Sequence, residues 1–393
     1  MSSSESFDSK LLETSYTINE ESGQYVSASH PEKIDLCNAI SNLYRTPKKS
    51  VDIVCSGLNA INLILQSTII NFGNDITILV SSNVYSPTKS KVIKCLQLTY
   101  PNVVFKICNI FDNPYVLKDP KIKVLFLEFC TNPDGQVFDY KWFDLLPKNT
   151  YVIVDNTWLT VYGFNPLKTK YVDCVVETTA KYLSGGLTPG GVVIFKKGGK
   201  IKDTFNNLVR SYGIHICPIY CKMLLQTIKT IEHRIKISSI RTKNVLEYLK
   251  TNDKVVKINH PLTNVSNDTL TEYYKMIKLD MAKYPPSVIY FKVIMLNKKI
   301  IDLKDIVCKN NFRYVTSYGH SFDTIDPYPD YQEDSNGFGV FLRLAIGYNV
   351  YNVNNVNNIN DKNDAYDKKD AYDIYSIDLI NKLDHLITDI YNS

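Results

Sequence analysis

The sequence has no CxxC pair, no block of like charge and no apolar run approaching the length of a membrane span. Each absence removes a class of protein. The nine cysteines are scattered and lack the histidine spacing of a zinc site, so no metal is expected. An odd number of unpaired thiols fits a reducing compartment. The closest pair, Cys217 and Cys221, lies one helical turn apart beside Pro218 and reads as core or groove packing. The net charge of +5 is spread along the chain, too weak an excess to call for nucleic acid. The opening MSSSESFDSK lacks the apolar centre of a signal peptide. The expectation is a soluble, cytoplasmic protein with neither a membrane nor a nucleic-acid partner.

What is present is a large hydrophobic fraction, 44% of 393 residues, enough for two domains and a sizeable core. From residue 51 short Val/Ile-rich runs alternate with helical stretches: VDIVC, DITILV, VVFKI, KVLFLEF, TYVIV, DCVVE and GGVVIF. Such runs, without polar alternation, suit strands buried on both faces. They predict an α/β fold with a mainly parallel, doubly wound sheet. Ligands of such sheets sit beyond the carboxyl ends of the strands, so chemistry belongs just after each run. Pro218 opens what reads as one long amphipathic helix, with Leu224, Ile228, Ile231 and Ile235 on one face. The division expected is an arm over 1–45, an α/β domain over 46–239 and a smaller α+β domain over 240–393. In the last, VIYFKVIML and GVFLRLAIG are the clearest strands, and the Asn/Asp-rich stretch 349–373 reads as an insertion. A closing helix follows, with Ser376 as its cap and Ile380, Leu383, Ile387 and Ile390 as its buried stripe.

Polar residues follow three of the strands directly. Asp155 ends TYVIVD, Lys181 follows DCVVETTA, and EFCTNP closes KVLFLEF. Taken singly, a strand-end Asp caps a turn and a Lys near a glycine pair is solvated. Ser56 and Gly57 open a helix, where a glycine lets N–H groups approach an anion; an ordinary cap with a tight turn has the same sequence.

Together these segments resemble the Cys/Met-metabolism family of pyridoxal-phosphate enzymes, from about Tyr25 to the last helix except the insertion at 349–373. The resemblance implies the aspartate-aminotransferase-like fold (fold type I), pyridoxal 5'-phosphate as cofactor and a homo-oligomer, dimer or tetramer. SGLNAI is similar to the family's phosphate loop, giving Gly57 and Leu58 as N–H donors. Tyr85 in NVYSPT stands where the family stacks a tyrosine on the cofactor ring and uses it in proton transfer. Asn132 in EFCTNP is implied as neighbour of the ring hydroxyl, and Asp155 in VDNTW as partner of the ring nitrogen. TTAKYLSGG resembles the lysine motif, with Lys181 as the imine-forming residue and Thr178 as a phosphate ligand. Tyr25 is implied as a contact to a neighbouring subunit's phosphate. TSYG and FLRLAIG resemble the substrate-binding motifs and give Ser317 and Arg343.

The chemistry agrees with these roles. Burial beside a cationic ring lets a lysine lose its proton. A buried carboxylate keeps a ring nitrogen protonated, so the ring draws electrons. A planar two-pronged donor such as Arg343 grips a carboxylate best.

The chain also departs from the pattern. Ser27 stands in the place of an arginine, His30 of an asparagine, Ala180 of a phosphate-binding threonine and Gly186 of a frequent histidine. Position 316 is Thr, where γ-acting members often carry glutamate and β-lyases an aromatic residue. The implied function is a lyase or transferase of a sulfur-containing or O-acylated amino acid, in transsulfuration-type chemistry. A catalytically altered or retired homologue with a binding role, and an aminotransferase of the same fold, stay open as alternatives.

Overall fold

The computed structural model describes residues 29–264, 283–348 and 368–393. Helix α1 (Pro31–Tyr44) leads into β1 (Val51–Val54), α2 (Gly57–Phe72), β2 (Thr77–Ser81), α3 (Lys94–Thr99), β3 (Val104–Cys108), β4 (Ile122–Glu128) and β5 (Tyr151–Asp155). Then come α4 (Thr160–Gly163), β6 (Val172–Thr178), β7 (Gly191–Phe195), α5 (Lys200–Tyr212), α6 (Pro218–Ile228) and α7 (Ile231–Thr251). The remaining elements are β8 (Val255–Asn259), β9 (Val288–Ile294), α8 (Leu303–Lys309), β10 (Arg313–Tyr314), β11 (Thr324–Ile325), β12 (Asp330–Asp334), β13 (Gly337–Ala345) and α9 (Lys368–Asn392).

Seven strands form the first sheet in the order β1-β7-β6-β5-β4-β2-β3. Its pairs are parallel except where β7 lies antiparallel to β1 and to β6. Every apolar run expected to be a strand is one. The alternation within each strand divides its side chains between two cores. Val152 and Val154 of β5 face one, and Ile153 the other; Leu125 and Leu127 of β4 face the first, Val124 and Phe126 the second. A sheet covered on both faces needs this Val/Ile-rich composition, because neither face meets water.

The second sheet runs β10-β11-β13-β9-β8, with β12 on β13, and is antiparallel apart from β10 and β11. Its apolar face packs on α7, α8 and α9 through Leu246, Phe291, Leu342, Leu383 and Ile387. Among the described residues no helix is long and apolar enough to cross a membrane.

Three sequence expectations change. The helix from Pro218 is two helices, broken at Lys229 and Thr230. The carbonyl of Thr227, which a continuous helix would give to the backbone of Ile231, accepts instead from the Arg234 guanidinium at 3.0 Å, the Thr230 hydroxyl at 3.1 Å and the Thr230 N–H at 3.2 Å. Side chains that compete for backbone acceptors end helices. Second, Ser376 is no cap: α9 already begins at Lys368, inside the stretch read as insertion, and the Ser376 hydroxyl accepts from Asn244. Third, Cys221 is buried as expected, but Cys217 is exposed at the N-cap of α6. The rest of that insertion, 349–367, lies outside the described residues, as do Tyr25 and Ser27.

Candidate active site

The carboxyl ends of β4, β5 and β6 bring Glu128, Asp155 and Thr178 side by side, in a parallel register that pairs Glu128 with Asp155. Asp155 is held by the N–H of Thr157 at 3.0 Å, and burial raises its carboxyl above the usual range. Glu128 accepts from the N–H of Tyr85 at 2.6 Å; burial, then the neighbouring Asp155, pushes it well up. One strand further along, Glu177 bonds the Tyr44 hydroxyl and is pushed up to about 8, mainly by burial. Among the described residues none of these acids is ion-paired with a basic side chain.

Lys181 sits in the turn after β6 with φ −110° and ψ −124°, a non-helical conformation inside a short π-helical stretch. Its amine donates to Ser317 at 2.8 Å and lies 4.8 Å from the centre of the Tyr318 ring. Burial, then the charge of Arg343, lowers it to about 8, against an opposing effect of Asp326. Half of such an amine is neutral at pH 8, which a nucleophilic lysine needs. Gly319, at φ +77°, lets the 317–319 loop press on this turn: a Cβ there would stand 2.7 Å from the Tyr182 nitrogen. Arg234 fastens the turn from behind, donating to the carbonyls of Tyr182 at 2.7 Å and Leu183 at 3.2 Å.

A third group gathers at the start of α2. Ser56 caps the helix by accepting from Asn59 at 3.1 Å, and the first-turn N–H groups of Gly57 and Leu58 have no intrahelical acceptor. A Cβ on Gly57 would meet Thr178 Cβ at 2.8 Å, so the bare backbone keeps the helix start beside the Thr178 hydroxyl. Ala180 supplies only its N–H, which donates to Thr178 Oγ1 at 3.3 Å.

Arg343, on β13, donates through Nε to Asn132 at 3.0 Å and through Nη1 to Asp326 at 2.7 Å, with its guanidinium 5.5 Å from the Tyr318 ring centre. Tyr85 follows β2 and is 58% exposed. His30 is an N-cap, its ring accepting from the Lys33 N–H at 3.1 Å. The place of the frequent histidine is filled from another direction: a Cβ on Gly186 would lie 1.8 Å from Nδ1 of His320. Sequence reasoning brought forward Lys181, Ser317, Asp155, Asn132, Arg343, Gly57 and Thr178, and missed Asp326, Glu177, Tyr44, Tyr318, His320 and Arg234. Two of them carried a signal: Glu177, an acid at the end of an otherwise apolar strand, and Tyr318, inside TSYG.

These features define a lysine-centred site at the carboxyl edge of a doubly wound sheet. Over residues 1–301 the sequence matches the Cys/Met metabolism PLP-dependent enzymes, and the chain belongs to that family. A cystathionine beta-lyase of Saccharomyces cerevisiae is 27% identical over 231 residues, 56% of this chain and 50% of that protein. An L-methionine gamma-lyase of Fusobacterium nucleatum is 28% identical over 169 residues, 40% of this chain and 42% of that protein. The chain thus spans about half the length of the curated relatives it matches. Among solved structures, a cystathionine gamma-lyase from yeast superposes with a TM-score of 0.74 at 19% identity, covering 96% of this chain and 91% of that one. A putative O-acetylhomoserine (thiol)-lyase from Campylobacter jejuni, holding a pyridoxyl-lysine monophosphate, does so with a TM-score of 0.68 at 20% identity, covering 92% and 87%. At these identities the likeness is one of fold, the α/β fold of the PLP-dependent enzymes.

The residues present fit pyridoxal phosphate. A half-buried acid without a basic partner among the described residues suits a protonated ring nitrogen, a depressed amine suits covalent attachment, and the bare helix start beside a hydroxyl suits the phosphate.

Proposed function

We propose that the chain is a pyridoxal-phosphate-dependent lyase or transferase acting on a sulfur-containing or O-acylated amino acid. The observation that carries this reading is Lys181: a largely buried amine, lowered to about 8 and aimed at Ser317. Bound pyridoxal phosphate supplies an electron sink for charge developing at the substrate's α-carbon. The chain's own residues bind, orient and move protons around it. Asp155 holds the ring nitrogen's proton, while Gly57, Leu58 and Thr178 receive the phosphate at the positive end of α2. Asn132 orients Arg343 through Nε, and Arg343 grips the substrate's α-carboxylate. Lys181 would take the α-proton, its amine directed by Ser317. Tyr85, in the segment after β2, would pack on the cofactor and assist proton transfer.

Completion of the site by a second copy of the chain, through Tyr25, belongs to the same proposal, as do a dimer or tetramer and a cytoplasmic location. A panel of cystathionine, methionine, cysteine and O-acylhomoserine, assayed with the wild type and Lys181→Ala, tests the function. Turnover of none of them by a protein that has bound the cofactor would refute it. The alternative of a catalytically altered homologue is favoured by Ala180, which has no hydroxyl to offer a phosphate. A cofactor absorbance spectrum and titration separate the two.

A further inference from the structure

We infer that Tyr318 is a further positioning residue of this site, its ring face holding the Lys181 ammonium beside Arg343 until the cofactor is captured. The inference rests on the proposal that Lys181 forms the bond to pyridoxal phosphate.

Two cations lie over one buried ring. Lys181 Nζ is 4.8 Å and the Arg343 guanidinium carbon 5.5 Å from the centre of the Tyr318 ring. Both fall within the ~6 Å over which an aromatic face attracts a cation, and Tyr318 is only 8% exposed, so water weakens the attraction little. The ring has a fixed place. Tyr182 packs on it at 5.6 Å, with the planes tilted by 53°, and the Tyr182 hydroxyl shares a hydrogen bond of 2.8 Å with Ser287. The chain neighbours of Tyr318 serve the same contact: Ser317 accepts from the Lys181 amine at 2.8 Å, and Gly319 brings the loop against the lysine turn. Arg343 is steady too, bonded to Asn132 through Nε and to Asp326 through Nη1.

The groups around the amine pull in different directions. Burial and the charge of Arg343 favour its neutral form, and Asp326 favours its charged form. His320, lowered by burial and then by Lys181 itself, is uncharged over the range in which the amine titrates. The face of an aromatic ring is negative, so Tyr318 adds to the side of the charged amine. That attraction disappears when the amine loses its proton, whereas the hydrogen bond to Ser317 does not require a charge. Only the neutral amine attacks a carbonyl. Tyr318 thus keeps the resting lysine charged and in place, and raises the pH at which it becomes free to react.

The test follows the capture of added pyridoxal phosphate by the full chain, freed of cofactor, as a function of pH. Cofactor absorbance gives the rate, and borohydride labelling confirms that the peptide carrying Lys181 is the one modified. Tyr318→Phe keeps the aromatic face and should leave the midpoint of the pH profile at its wild-type value. A ring-trifluorinated phenylalanine in place of Tyr318 keeps the shape but drains the face of negative charge, and should lower the midpoint by about half a pH unit. Below the midpoint that is about a threefold faster capture. Tyr318→Leu removes the face altogether and should lower the midpoint by up to about one unit, which keeps the test open should the fluorinated chain fail to fold. A midpoint lowered by neither variant would overturn the inference and leave the functional reading standing. A fall already present in Tyr318→Phe would assign the effect to the hydroxyl and overturn it as well. Capture by the wild type on another lysine, or not at all, would instead remove the functional reading, and the inference with it.

Discussion

The two rims of the candidate site treat charge in opposite ways. At the carboxyl edge of the first sheet, Glu177 is buried and Glu128 and Asp155 are half-buried, none in an ion pair among the described residues, and all three carboxyls are raised. On the side of the second sheet the charges are closed on each other: Arg343 of β13 with Asp326 at 2.7 Å, and Arg241 of α7 with Asp323 at 2.8 Å. Unpaired buried carboxylates are costly, so an edge that keeps them is arranged for a positive group that arrives from outside. A closed pair costs less and serves to hold geometry. On the proposed reading the first rim receives the charged cofactor, and the second orients the amino acid.

The comparison breaks most decisively at Lys181. Lys181→Ala should abolish covalent attachment of pyridoxal phosphate, and borohydride trapping of the wild type should label the peptide containing Lys181. A label on another lysine would sink the assignment. In the cofactor-free protein the reactivity of this amine should rise through pH of about 8 rather than near the ordinary 10.5.

Removing the acid that awaits a cation comes next. Asp155→Ala should weaken cofactor binding by ~2–5 kcal/mol, the usual loss when one partner of a buried charge pair is truncated. Equilibrium titration with pyridoxal phosphate measures it, and an unchanged constant would place the ring elsewhere.

Glu177 sharpens the comparison through pH. Its carboxyl is raised from 4.5 to about 8 on folding, so the folded chain holds a proton that the unfolded chain releases. The stability it contributes is full below pH 4.5 and is lost as pH rises to about 8. Glu177→Gln should flatten that slope, on the order of a few kcal/mol across the window, and should exceed the wild type at its alkaline end. Denaturant midpoints across the same range give the answer.

Smaller effects are expected where one residue's side chain fills another's space. Gly186→Ala meets both a φ of +85° and the His320 ring, and should cost ~1–3 kcal/mol in thermal or chemical unfolding. Adding His320→Ala should recover the part due to contact and leave the part due to the backbone. The smallest effect is a gain: Ala180→Thr places a hydroxyl beside Thr178 and should tighten the cofactor by ~1 kcal/mol. No gain would mean that the phosphate is held without this position.

How much was legible in advance follows the range of the interactions. The strands were read correctly because a sheet covered on both faces excludes polar side chains locally, run by run. Ser56 and Gly57 at the start of α2 were legible for the same reason, since a cap acts within its own turn. Lys181 and Asp155 were legible because they stand next to such runs. The helix break at Lys229–Thr230 was not, because it depends on Arg234 reaching a carbonyl outside its own helix.

By itself the sequence determined the α/β class, the strand ends at which chemistry can occur and the identity of the lysine and aspartate standing there. Only the tertiary structure decided which distant groups meet them. Ser317 reaches Lys181 across 136 residues, Asn132 meets Arg343 across 211, and Glu177 finds Tyr44 across 133. A repeating pattern reports on a neighbour's burial, whereas a hydrogen bond between loops of two sheets leaves no period in the chain. Asp326 stands in a segment without a motif and His320 just past one, and only the positions of Arg343 and Gly186 show what they meet.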